Sequence, residues 1–238
     1  FVVTLLAVWF VAESANDGLL RVISPALVAA IPGMALAVGA TELAASQIIS
    51  GASRLVYGIS QLALLVFGVI IGMHLAGPVA PQTPSPQMGW WSLYLAIVVV
   101  GLSLSVYLSA PRGSLFWLTA AIAVALITQQ IASTVIAPVH AGFLGAIVVV
   151  LFANLAARIR TAPPAVVLIV VSFWSLVPST TSFMYVSQAA TGGNADLSDL
   201  GQVGSAILSI ALGTLVGWSI FRTIDAWLPW SKAQAATT

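Results

Sequence analysis

Long apolar runs alternate along the chain with short polar interruptions. The apolar stretches cover roughly 1–12, 22–45, 55–77, 90–109, 114–134, 139–157, 163–190 and 201–224. All but the first hold about 20 residues, the length that carries a helix across a ~30 Å hydrocarbon core. The apolar–polar alternation of barrel strands is absent, and an open sheet in lipid would leave backbone groups unpaired. The pattern predicts an all-α integral membrane protein: a polytopic helical bundle of seven full spans and one cut short.

Composition removes the other classes. Of 238 residues, 60% are hydrophobic and 5% charged, with a net charge of +1. Soluble domains carry about 25% charged residues, and no basic face is available for nucleic acid. Without cysteine there is no disulfide framework and no thiolate. Metal-ligand spacing, phosphate loops and dinucleotide fingerprints are also missing, so no catalytic residue, metal or cofactor is expected. Phe1 opens inside an apolar run with no basic region before it, which does not read as a signal peptide. The run reads as a membrane helix whose beginning lies upstream.

The polar interruptions set the direction of the spans. By alternation Arg54, Arg112, Arg158, Arg160, Arg222 and Lys232 fall on one side. Arg21 falls on the other, with Glu13, Asp17, Asp196, Asp199 and the uncharged Pro-rich segment 78–89. Six of seven cations on one side predicts that this side is cytoplasmic. The C-terminus is then cytoplasmic and the location the cell inner (plasma) membrane. Trp90, Trp91, Trp227 and Trp230 stand at span ends, where an indole suits the headgroup zone.

The stretch 1–77 resembles 143–221. Each has an apolar segment, then a Pro-led span (Pro25, Pro164) with a second, central proline (Pro32, Pro178), then a polar stretch and a last helix. That helix carries Gly-x-x-x-Gly in both, at Gly68/Gly72 and Gly213/Gly217, with Ser60 and Ser205 eight residues ahead. The two copies cross the membrane in opposite directions, the inverted arrangement of many secondary transporters. The division expected is the last three helices of a first repeat at 1–77, a linker at 78–89, a complete five-helix second repeat at 90–226 and a tail at 227–238. Two further helices are expected before Phe1.

The central prolines are the strongest pointers to a site. Span 163–190 would measure about 42 Å as one helix, too long for the core unless tilted or broken. Pro178 removes an N–H and clashes one turn back, and Ser179, Thr180, Thr181 and Ser182 follow with hydroxyls able to bond freed carbonyls. Pro32-Gly33 interrupts 22–45 at the matching place. Paired interruptions of this kind mark the binding site in transporter folds, while single ones often serve packing.

Several motifs carry a family resemblance. Ile31-Pro32-Gly33, Glu42-Leu43 and Ile49-Ser50-Gly51-Ala52-Ser53-Arg54-Leu55 resemble the end of the first half of the threonine/serine exporter family. Ala110-Pro111-Arg112, Leu155-Ala156-Ala157-Arg158-Ile159-Arg160-Thr161-Ala162-Pro163 and Leu176-Val177-Pro178 resemble its second half. The resemblance implies ten helices in two five-helix halves and export of small hydroxy amino acids, driven by the proton gradient. The family's first two helices and hydrophilic N-terminal region are not in this sequence, and Pro178-Ser179 stands where Pro-Gly is expected. The partners implied are threonine, serine, protons and bilayer lipid, with a homo-oligomer also open.

Site candidates follow. A half-helix restarted after Pro178 would meet a substrate carboxylate with unpaired N–H groups, and the hydroxyls of Ser179, Thr180 and Thr181 would meet the substrate hydroxyl. Pro32 and Gly33 would offer freed carbonyls to the ammonium, and Tyr185, with Gln188, would line an exit path. Glu42 is the one acid inside a span and is a candidate for binding the ammonium or for proton coupling; the alternative is snorkelling to the nearby cytoplasmic end of the span or pairing with Arg54. Gln129, Gln130, Asn154, His74 and His140 are cavity or titrating candidates against plain helix-packing or interfacial roles. Gly51-Ala52-Ser53 and His140-Ala141-Gly142 resemble rhomboid-protease motifs, but the topology puts Ser53 and His140 at opposite membrane faces. The alternatives to a transporter are a membrane assembly or scaffold protein and a passive channel.

Overall fold

The computed structural model describes residues 2–10, 23, 26–27, 30–76, 89, 91–111, 113–177 and 197–227. Among these residues every regular element is helical. The helices are α1 (Val2–Phe10), α2 (Gly33–Ala44), α3 (Ile48–Ala76), α4 (Ser92–Tyr107), α5 (Leu115–Ala132), α6 (Ala141–Ala156), α7 (Ala165–Leu176) and α8 (Leu197–Trp227), with a 3-10 turn at Pro138–His140 before α6. Among the described residues four stretches are long and apolar enough to cross a membrane: Ile48–Leu75, Leu115–Ala132, Pro138–Ala156 and Gly204–Trp227. The polytopic helical bundle expected from the apolar pattern is therefore the fold.

Three shorter apolar helices have separate causes. α2 begins just after the break at Pro32, and α7 ends at Leu176, just before the break expected at Pro178. α4 stops at Tyr107 because Ser109 turns to φ 48, and the Ala110 N–H then folds back to the Ser105 carbonyl, 2.8 Å away.

Two boundaries differ from the sequence reading. α3 begins at Ile48, so Arg54 lies inside its second turn rather than in a loop. Gly51 does not stop the helix because it sits where α2 crosses; a Cβ there would lie 2.8 Å from the Gly39 carbonyl oxygen and from the Leu43 nitrogen. α8 begins at Leu197, taking Asp199 and Leu200 from the expected loop into its first turn.

The core holds helices together through small residues, as in lipid, where apolar burial alone gives little drive. α6 and α8 run parallel: Gly213 faces Phe143 and Ala146, Gly217 faces Ile147 and Val150, and Arg158 pairs with Asp225. A Cβ on Gly213 would fall against the Phe143 carbonyl oxygen, and one on Gly217 would come 3.0 Å from the Val150 Cβ. The second Gly-x-x-x-Gly is thus the α6–α8 contact.

Among the described residues buried side chains gather in three clusters. One joins α1, Ile23, Ile31 and α3. A second joins α4, α5, α6 and α7 around Ile97, Leu118, Ile122 and Leu168. The third lies between them and contains Ala37 of α2, Ala146 and Val149 of α6, Leu176 and Val177 at the end of α7, and Ile210 of α8. α2 packs on α3, α8 and α7, so the first stretch of the chain is seated on the second. Large apolar side chains such as Ile49, Val56, Leu64 and Phe67 on α3 remain exposed, the surface expected of a helix facing lipid.

Candidate functional site

The break in span 22–45 falls where the sequence puts it. Ile31 N–H still bonds the Leu27 carbonyl, 3.1 Å. Pro32 then takes φ −80 and ψ 36, and Gly33 N–H turns back to the Ile31 carbonyl, 2.9 Å. The first bond of the restarted helix runs from Leu36 N–H to the Pro32 carbonyl, 3.1 Å. The N–H groups of Met34 and Ala35 therefore precede the ladder, at the positive end of the α2 dipole. Ile31, Pro32 and Gly33 are all buried.

The freed carbonyl at this break already has a donor. Gln61, halfway along α3, donates its Nε2–H to the Ala30 carbonyl, 2.8 Å away. Sequence reasoning missed Gln61, since one carboxamide in an apolar helix carries no motif. The available signal was its mid-span position, where a polar side chain is expensive without a partner.

The second break is seen from its first half. α7 ends at Leu176, and Val177 is extended at φ −72, ψ 127, the conformation favoured before a proline. The candidates beyond it, Pro178, Ser179, Thr180, Thr181 and Tyr185, together with Ser182 and Gln188, lie outside the described residues. Leu176 and Val177 nevertheless locate this break. They share one buried cluster with Ala37, and Met34 packs against the same cluster. The two interruptions, far apart in sequence, thus approach one region of the bundle.

Glu42 lies at the other end of α2. Arg54 Nε stands 3.0 and 3.1 Å from its two carboxylate oxygens, and Ser50 Oγ donates to Oε2 at 2.6 Å. The carboxylate is mostly covered, with 18% of its side chain exposed against 53% for Arg54. The pairing alternative weighed for Glu42 is the arrangement observed.

The remaining candidates are distributed elsewhere. Asn154 donates to the Val150 carbonyl of its own helix, 2.8 Å, and His74 Nδ1 to the Ile70 carbonyl, 3.1 Å. His140 Nδ1–H donates to Ser209 Oγ at 2.9 Å, whose proton goes to the Ser205 carbonyl at 2.8 Å. Gln129 sits closer to the breaks: its Cβ and the Leu176 side chain both border the space above Gly145. Gln130 is exposed. Ser53 Oγ donates to the Ser50 carbonyl, 2.9 Å, so Ser53 and His140 each have another partner. The Arg158–Asp225 ion pair, with the guanidinium also 5.2 Å from the Phe221 ring centre, joins α6 to α8. Asp225 lies just beyond the span limit read from hydropathy and was missed for that reason.

Comparison with known proteins bears on the first part of the chain. Residues 1–76 match the family model described as "Putative threonine/serine exporter". This is the family that the motifs resemble, and the matched stretch contains the Pro32 break, Glu42 and Gln61. No curated protein and no solved structure matches the chain.

Proposed function

We propose that this protein exports small hydroxy amino acids, threonine and serine, across the cytoplasmic membrane at the expense of the proton gradient. One observation carries the reading: residues flanking two separate helix breaks, Met34 and Ala37 after the first and Leu176 and Val177 before the second, meet at one buried cluster. Broken spans supply unpaired backbone groups in a medium that otherwise forbids them. A zwitterion is the kind of solute that needs both polarities at once.

In this reading the chain comprises repeat segments at 1–77 and 90–226, inverted relative to each other, with the arginine-bearing ends and the C-terminus in the cytoplasm. The substrate carboxylate lies toward a half-helix N-terminus, and the hydroxyls of Ser179, Thr180 and Thr181 read the substrate hydroxyl. Pro32 and Gly33 shape the opposite wall, and Tyr185 lies on the outward path. Glu42 carries the coupling proton. Its protonation removes the charge that Arg54 and Ser50 hold, which releases the α2–α3 corner and lets α2 move.

The test uses the full-length protein in liposomes loaded with labelled threonine or serine, with and without an imposed proton gradient. Saturable flux that the gradient accelerates is the expected result. Folded protein that moves neither amino acid overturns the reading.

A further inference from the structure

Gln61 does more at the first break than close it. In an unbroken helix the Ala30 carbonyl would accept from Met34 N–H; the turn at Ile31 and Pro32 prevents this, and the Gln61 Nε2–H takes the place at 2.8 Å. That bond uses one of the two amide protons. A carboxamide oxygen has two lone pairs, as does a backbone carbonyl. Among the described residues none donates to Gln61 Oε1, and none but Gln61 donates to the Ala30 carbonyl. Two acceptors therefore lie together, part-buried, where α3 meets the break ahead of α2. The nearby cation Arg54, two turns away on the same helix, is engaged with Glu42.

Two adjacent acceptors without a cation are suited to a group with several N–H donors and a positive charge. We infer that Gln61 is a substrate-binding residue, its Oε1 and the Ala30 carbonyl together receiving the α-ammonium of the transported amino acid. The inference rests on the transport reading above and adds to it the group that holds the substrate's positive end. The register that pairs Ser60 with Ser205 and Gly68 with Gly213 pairs Gln61 with Ala206. The carboxamide thus belongs to one half only, as recognition of a solute with unlike ends requires.

The experiment measures KM and maximal flux for threonine in liposomes with wild type, Gln61→Leu and Gln61→Glu, alongside folded yield. Gln61→Glu keeps acceptor oxygens but, ionised, has no proton for Ala30. Ammonium binding predicts that Gln61→Leu raises KM about tenfold or more, while Gln61→Glu stays close to wild type. Gln61→Met, of similar length and without the carbonyl, should behave as Leu does and replaces it if Leu does not fold. A role confined to mending the helix predicts that Leu and Glu lose folded yield alike, with KM unchanged in the protein that folds; that result overturns the inference. Wild type that moves threonine alongside variants of unchanged KM overturns the Gln61 assignment alone. Wild type that moves nothing overturns both readings.

Discussion

Arg54 reaches both carboxylate oxygens of Glu42 through its Nε, at 3.0 and 3.1 Å, across the turn that joins α2 to α3. Because Arg54 is more than half exposed, the pair adds at most about 1 kcal/mol to stability. A change at Glu42 that removed function should therefore do so without unfolding the protein. Glu42→Gln is expected to shift the melting temperature by only a few degrees and to abolish acceleration by the proton gradient. Equal exchange of labelled for unlabelled threonine should survive. Exchange and gradient response measured on the same liposomes separate these effects; loss of both together would remove Glu42 from the coupling role.

The same corner contains a strained residue. Ser46 sits at φ 65 after α2, with its N–H on the Leu43 carbonyl at 3.0 Å and Gln47 N–H on the Glu42 carbonyl at 2.8 Å. This is the helix-ending turn in which glycine is preferred because a Cβ is unfavourable there. Ser46→Gly should stabilise the protein by about 0.5–1 kcal/mol, read as a rise in melting temperature, with the Glu42–Arg54 pair intact. A fall in melting temperature would mean that the serine side chain matters more than its backbone angle.

Glycines of α8 should divide sharply. A Cβ on Gly213 meets the Phe143 carbonyl oxygen and the Ala146 Cβ, whereas one on Gly201 or Gly204 meets nothing within 4 Å. Gly213→Ala should cost about 1–3 kcal/mol by forcing α6 and α8 apart. Gly201→Ala should be neutral or stabilising by up to about 1 kcal/mol, since alanine favours a helix. Thermal unfolding of the two variants in one detergent gives the comparison, and equal effects would contradict the close α6–α8 contact.

Much of this arrangement is legible in the sequence because lipid leaves few choices. Apolar length gives the spans, and proline fixes the breaks: α2 restarts at Gly33, and α7 ends at Leu176. Gly213 and Gly217 could be read as a close contact, but their partners on α6 could not, since spacing along one helix does not name the helix opposite. Gln61 and Asp225 were not legible for the same reason. Their meaning comes from the Ala30 carbonyl and from Arg158, which only the packing brings near. Pairing of Glu42 with Arg54 was readable as a possibility, and the turn at Ser46 forms that pair by folding α3 back along α2.

The break at Pro32 supplies the last prediction, because it separates a packing kink from a working site. Pro32→Ala restores an N–H and removes the ring that clashes with the preceding turn. Span 22–45 could then run on as one helix, with Met34 N–H taking the Ala30 carbonyl from Gln61. If the break is only a packing feature, the change is mild: folded yield and melting temperature stay near wild type, and threonine flux persists. If the break forms the site, a healed helix is at least as stable yet loses the unpaired groups that hold the substrate. We expect the second outcome: melting temperature unchanged or higher, and threonine flux reduced at least tenfold, about 1.4 kcal/mol of lost interaction. Stability and flux measured on one preparation decide the matter, and a stable variant that still exports at the wild-type rate would assign Pro32 to packing alone.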